Sequence, residues 1–326
     1  MMIYALQRLL RSVLLLFGIS VVCFLFTEMA PGSFFDEMRL NPQVSPETIN
    51  TLHARYGFDR PLLVRYSRWM ISAIQGDWGY SIAYNAPVAP LLWTRAKNTL
   101  LLTMTATFLT WLLGVPLGLW TASARGRLGD KLVTSSSSFL LSVPEIVMAV
   151  GLLALAVRWR LVPVGGMMSL GFEDLSVWGK IHDLALHMLL PVAILLLGGV
   201  AVVERHVRTS VVEVLEAPYI RAARGLGIGP MRLLFRHVLP VAANPAISLF
   251  GFSIAALLGG SLVVEVVTGW PGLGPLILDA TLSRDLYVVI GAVLFSAVFM
   301  IAGNLIADFL LLASDPRIRP GESDAT

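Results

Sequence analysis

Six long, almost uniformly apolar stretches run through this chain, at about residues 9–28, 98–124, 132–157, 184–203, 238–264 and 286–312. A stretch of ~20 such residues suits a membrane-spanning helix, because lipid offers no partners to a backbone that does not hydrogen-bond to itself. The charge content agrees: only 14% of the 326 residues are charged, where soluble proteins carry roughly 25%. Mean hydropathy is +0.76. The expected fold class is an all-α polytopic membrane protein with six transmembrane helices, forming one domain over residues 1–326. The single cysteine, Cys23, excludes an internal disulfide and a cysteine-cluster metal site. The first stretch has the arginines and apolar centre of a signal peptide. Glu28 and Pro31 stand where a small-residue cleavage site is needed, so it is expected to be retained.

Orientation follows from the lysines and arginines between the spans. With the N-terminus inside, the inner segments hold thirteen of them and the two short outer segments hold four. Both termini are therefore expected in the cytoplasm. The remaining outer segment, 33–97, is too long to count. In it, Ser45-Pro46 reads as a helix start, with Ile49, Leu52 and Tyr56 at helical spacing up to Gly57. A second amphipathic helix is expected over Pro61–Ile74, with Leu62, Tyr66, Trp69, Met70 and Ala73 on one face. The segment reads equally as a lid over the outer helix ends or as a docking surface for an external partner.

The largest inner loop, 204–237, is too polar to span. Residues 213–224 are good helix formers except for Pro218, and Gly225, Gly227, Gly229 and Pro230 then stop the helix. A second amphipathic piece, Met231–Val238, carries Arg232, Arg236 and His237. Helix, glycine break and helix make a knob parallel to the membrane surface.

These residues resemble a known family. Tyr219-Ile220-Arg221-Ala222-Ala223-Arg224-Gly225-Leu226-Gly227, followed by Arg236-His237-Val238-Leu239, is similar to the cytoplasmic "EAA" loop of ABC-type importer permeases, and most of all to those of the dipeptide, oligopeptide and nickel family. The resemblance covers nearly the whole chain. It includes Pro31-Gly32, Tyr56-Gly57-Phe58-Asp59, Gly76-Asp77-Trp78-Gly79, Asn98-Thr99-Leu100, His187-Met188-Leu189-Leu190-Pro191 and Arg205-x-x-Arg208-x-Ser210. Glu265-Val266-Val267, Trp270-Pro271-Gly272-Leu273-Gly274, Arg284-Asp285 and Asp315-Pro316-Arg317-Ile318-Arg319 close the series. Departures occur at Ser33, Pro218, Leu226, Pro240 and Val241.

The resemblance implies the type I ABC importer permease fold in a bacterial-type inner membrane. It implies half of a passage for di- or oligopeptides, with nickel or another small solute as the alternative cargo. The implied partners are a second homologous permease in a heterodimer, two ATPase subunits carrying ATP and Mg, an extracytoplasmic solute-binding protein and membrane lipid. Nucleic acid is not among them. Glu213, Tyr219, Arg221, Ala222, Ala223, Arg224, Gly225, Gly227 and His237 would form the ATPase-coupling loop. Glu265, Trp270, Pro271, Gly272 and Gly274 would form an external gate facing the binding protein.

The residues themselves place ATP hydrolysis elsewhere. A phosphate-binding loop needs G-x-x-x-x-G-K-[ST], and of the three lysines only Lys180 follows a glycine, with Ile181 after it. Glu145, beside Pro144, is the one acid deep inside a span; a buried membrane acid points to a pathway or to a partner subunit. Gly114-x-x-x-Gly118 is expected to serve ordinary helix packing within the subunit. Trp270 and the other outer tryptophans are expected at the membrane interface, and the five histidines lack the convergent spacing of a metal site. An intramembrane protease would need a base near the Ser135–Ser138 cluster, and no G-x-S-x-G frame surrounds it. A stand-alone secondary transporter predicts an internal repeat, which is absent. Both rank below the permease, which is a transport subunit and not an enzyme.

Overall fold

Helices dominate the computed structural model, which describes residues 2–29, 60–160 and 162–314 and the isolated positions 39, 45, 47 and 51. Apart from those isolated positions, the helix expected after Ser45 lies outside the described residues, as do Pro31-Gly32, Tyr56 to Asp59 and Asp315 to Arg319. In chain order the elements begin with α1 (Met2–Met29) and α2 (Leu62–Ile74). A small hairpin follows, β1 (Tyr80–Ser81) paired antiparallel with β2 (Ala86–Pro87). Then come α3 (Val88–Ser123), α4 (Leu128–Ser142), α5 (Glu145–Trp159) and α6 (Val177–Leu215). The short α7 (Pro218–Gly225) and α8 (Pro230–Leu233) lead through a π-helical turn (Leu234–Val238) into α9 (Leu239–Thr268). The last elements are α10 (Leu273–Leu282) and α11 (Leu286–Ser314).

Among the described residues five helical stretches are long and apolar enough to cross a membrane, and six if the bent pair α4–α5 is one span. That pair corrects the expectation of one continuous span over 132–157: the two helices meet at 102°. The cause is Pro144, which disfavours helical backbone at the residue before it. Val143 is accordingly extended, at φ −89 and ψ 124. A second correction concerns the inner loop. Helix α6 runs on to Leu215, so residues 204–215 are helix, and Glu213 sits on its last turn. Pro218 does not interrupt a helix either. It begins α7, where a proline loses no hydrogen bond.

The described residues form two compact units. The first comprises Met1–Asn98 and Pro271–Val298. Phe24, Trp69, Leu286, Ile290 and Leu294 form its core, against which Leu62, Tyr66, Met70 and Ala73 of α2 also pack, the face expected from their spacing. Tyr66 and Ser20 share a hydrogen bond of 2.8 Å between their hydroxyls. The hairpin is held by buried Asp285, which accepts from Ser81 Oγ at 2.6 Å and from the backbone N–H of Ala83 at 3.1 Å.

The second unit comprises Thr99–Trp270 and Phe299–Thr326. Here α3 and α6 approach so closely that a Cβ on Gly114 would lie 2.8 Å from Val203 Cβ, and one on Gly118 2.9 Å from the Glu204 carbonyl oxygen. Only glycine allows that approach. The two glycines thus serve packing within this chain. Next to them Glu204 is 1% exposed, accepting from Thr121 Oγ1 at 2.8 Å and Ser137 Oγ at 3.0 Å. Its hydrogen bonds tie α3, α4 and α6 together.

Candidate functional site

The knob after α6 is built on one buried side chain. Ile220 is 0% exposed and belongs to a core cluster with Val207, Val211, Leu233 and Val238, against which Ala223 also packs. With Ile220 turned in, α7 leaves Tyr219, Arg221, Ala222, Arg224 and Gly225 exposed. Leu226 follows at 84% exposure. Gly227 then reverses the chain at φ +78, a conformation that costs a residue with a Cβ ~1–2 kcal/mol. The Gly227 N–H donates to the Arg224 carbonyl at 3.1 Å, closing the C-terminus of α7. Glu213 is exposed at the end of α6, and half-buried His237 lies in the π-helical turn. The structure therefore brings the sequence-predicted coupling residues into one segment anchored from beneath.

Sequence reasoning missed four parts of this surface. Leu226, Met231 and Phe235 are large apolar side chains left exposed beside the charged ones. The π-helical turn, of a kind that often marks functional positions, was also unforeseen. Its five-residue bonding leaves no periodic trace in so short a segment.

Most of the residues expected at the outer gate are buried. Trp270 is 0% exposed in the second unit, in the core with Leu102, Ile194 and Leu195. It is not the interfacial anchor expected from its place at a helix end. Glu265 is also buried, and its carbonyl accepts from the Trp270 N–H at 2.9 Å. In the first unit the Pro271 carbonyl accepts from Asn98 Nδ2 at 2.8 Å. Gly272 precedes α10, and Gly274 is buried on its first turn. Glu265, Trp270, Gly272 and Gly274 are thus buried, and Pro271 is half-buried.

Glu145 stands at the first position of α5, just past the bend. It lines a cavity of about 270 Å³ walled by α3, α4, α5, α6 and α9, whose lining is mostly apolar. Its two carboxylate oxygens lie 2.7 and 2.8 Å from where a Cβ on Gly260 would sit. The bend thus turns one acid of an apolar span towards a cavity.

Comparison with known proteins identifies this architecture. Residues 114–320 match the family described as "Binding-protein-dependent transport system inner membrane component", and residues 1–103 match its N-terminal companion. The chain belongs to this family. It is a multi-pass inner-membrane transport subunit of an ABC importer and not an enzyme. The oligopeptide transport system permease protein AppB of Bacillus subtilis is 35% identical, over 97% of this chain and 98% of the relative. The dipeptide transport system permease protein DppB of Escherichia coli K12 is 33% identical, over 98% and 99%. Among solved structures, the inward-facing MetNI methionine ABC transporter aligns at a TM-score of 0.55 with 18% identity. That alignment covers 69% of this chain and 96% of the other, and it shows the shared permease fold.

Proposed function

We propose that this chain is one permease half of an ATP-driven peptide importer, with both termini in the cytoplasm, taking di- or oligopeptides from an external binding protein. The cargo reading rests on relatives named for dipeptide and oligopeptide transport that match nearly end to end. These names favour peptides over nickel, the alternative cargo. The observation that carries the mechanism is the knob: Ile220 buried, with Tyr219, Arg221, Arg224 and Leu226 presented outwards.

An apolar anchor below and an exposed face of one tyrosine, two arginines and a leucine suit a protein partner, since aromatic and arginine side chains dominate such interfaces. The partner in this reading is an ATPase subunit, which supplies ATP, Mg and the P-loop this sequence lacks. Its closure on nucleotide pushes α7. Because α7 is fixed by Ile220 to the cluster that includes α6 and the start of α9, the push reaches two spans. Glu213 and His237 flank the contact, and Gly225 and Gly227 let α7 end sharply. A second, homologous permease completes the passage and a second ATPase its drive, because six spans hardly enclose a peptide-sized path. In this reading Glu265, Trp270, Pro271, Gly272 and Gly274 belong to the outer gate loop, on the side of the binding protein. Membrane lipid surrounds the exposed apolar faces.

The test is co-purification of the tagged chain in mild detergent, followed by reconstitution. Recovery of a second permease and P-loop ATPases, with ATP-dependent uptake of labelled di- and tripeptides but not of nickel, is the expected result. Uptake of nickel alone, or uptake that persists without ATP, overturns the reading.

A further inference from the structure

The cavity beside Glu145 contains two polar groups without protein partners. Among the described residues no hydrogen bond or ion pair engages the Glu145 carboxylate. On the facing helix α3, Thr110 is fully buried and its Oγ1 has no hydrogen-bond partner. Other threonines of that helix behave differently. Thr103, Thr105 and Thr121 each donate to a carbonyl of the preceding turn, at 2.8, 2.7 and 3.1 Å. Thr110, unlike these three, lines the cavity. A third polar group, Ser253 Oγ, is already engaged, donating to the Phe250 carbonyl and accepting from Trp111 Nε1.

Thr110 Oγ1 is buried and unpaired, which is rare, and the half-buried Glu145 carboxylate faces a mostly apolar wall, where a charge is costly without a cation. Two features set the chemistry of the missing partner. A divalent metal would need several oxygen, nitrogen or sulfur ligands, but the cavity holds one carboxylate and no histidine or cysteine. A single carboxylate with hydroxyl acceptors in an otherwise apolar wall suits a compact organic cation with several N–H donors. Glycine supports the same arrangement from both sides. Gly260 leaves the space the Glu145 carboxylate occupies, and Gly199 leaves the space beside Thr110, whose Oγ1 would be 2.7 Å from a Cβ there.

We infer that the Glu145–Thr110 cavity is a transit subsite for an ammonium group of the cargo, either a peptide N-terminus or a lysine side chain. The inference rests on the import function proposed above and adds a determinant of specificity inside the membrane. Glu145 offsets the desolvation of the ammonium as it crosses an apolar section, and Thr110 accepts one of its hydrogen bonds. A carboxylate end of the cargo meets repulsion at the same place.

The test uses the complete importer in proteoliposomes: this chain with its partner permease, ATPases and binding protein. Three labelled cargoes are compared at concentrations that saturate the binding protein: Ala-Ala, N-acetyl-Ala-Lys and N-acetyl-Ala-Ala. Uptake of the first two is expressed relative to the third, which has no ammonium. Glu145→Gln is expected to lower that ratio about tenfold, the factor that ~1.4 kcal/mol represents. A loss confined to Ala-Ala assigns the N-terminus, a loss confined to N-acetyl-Ala-Lys assigns the side chain, and a loss in both assigns either.

Gly260→Ala keeps the charge but must displace the carboxylate, and Thr110→Val removes the hydroxyl; both are expected to move the ratio the same way by less. They carry the test if Glu145→Gln does not assemble. Unchanged ratios overturn the inference, and so does an equal fall for all three cargoes, which would make Glu145 a packing residue or a contact of the partner permease. If the unaltered importer takes up none of the three, the import reading itself fails and this inference falls with it.

Discussion

Arg208 holds Asp130 at both carboxylate oxygens, with Nε donating to Oδ1 at 2.7 Å and Nη2 to Oδ2 at 3.0 Å. The fork joins α6 to the start of α4, where the Gly126 N–H also donates to Asp130 at 2.9 Å. Two-point pairing of this kind fixes both distance and orientation.

Removing one partner should therefore cost more than an ordinary surface pair. Asp130 is nearly buried, but the Arg208 side chain is 23% exposed, so the loss expected for Asp130→Ala is ~1–3 kcal/mol, below the value for a fully buried pair. Arg208→Met combined with Asp130→Leu should recover part of the loss, because neither charge is then stranded. Thermal unfolding of the two alanine variants and their double mutant in detergent measures the coupling, expected at ~1–2 kcal/mol. Strict additivity would show that the fork carries no net stability.

The close approach of α3 and α6 gives a prediction of sign. A Cβ on Gly118 would meet Val207 Cβ at 2.8 Å and a backbone oxygen at 2.9 Å, neither of which can swing away. Gly118→Ala should destabilise by ~1–3 kcal/mol, as overpacking does. Gly151, inside α5, has nothing within 4 Å of its would-be Cβ. There the same substitution should be neutral or gain up to ~1 kcal/mol from helix propensity. Paired melting curves decide it: equal shifts would mean that the close approach plays no part.

These two helices also show where sequence reasoning reaches and where it stops. The spans were legible because apolar length is a local property, and the packing face of α2 was legible because helical periodicity is local too. Glu204 was read as the polar start of a loop, since what buries it are Thr121 and Ser137, 83 and 67 residues away in the chain. Partners that distant leave no mark beside the residue they satisfy. Proline was ambiguous for a different reason. Pro144 bends a span and Pro218 starts a helix, yet in sequence both look like interruptions, and the outcome depends on which neighbouring residues are already helical. Trp270 followed neither pattern: an interfacial composition rule places it at the membrane surface, whereas the core of its unit encloses it.

Alkaline pH should loosen the hairpin of the first unit. Tyr84 Oη donates to Asp279 Oδ2 at 3.3 Å, and burial, followed by the Asp279 charge, raises its pKa above the usual tyrosine value. A folded pKa above the unfolded one means that the folded state holds the proton more tightly. The stabilisation is thus complete below the ordinary tyrosine pKa of about 10 and is lost as pH rises through the raised folded value. Ultraviolet titration should reveal a tyrosine that ionises late and disappears in Tyr84→Phe. A Tyr84→Phe profile identical to that of the unaltered protein would remove Asp279 as a partner.

The knob separates anchoring from docking, and variants should divide the same way. Ile220→Ala empties a fully buried site, so ~2–4 kcal/mol of local stability should be lost. Limited proteolysis between Glu216 and Arg232 should then accelerate. Tyr219→Ala and Arg221→Ala remove exposed side chains; unfolding temperature should hold steady while binding of the proposed ATPase weakens by about tenfold, as for an interface residue worth over ~1 kcal/mol. Gly227→Val combines the two effects, because a β-branched residue at φ +78 is strained and redirects the chain after α7. It should assemble with intact spans yet lose ATP-driven uptake. Normal uptake by an assembled Gly227→Val importer would show that the turn does not transmit the nucleotide-driven movement, and the search for the coupling contact would move to the exposed apolar trio Leu226, Met231 and Phe235.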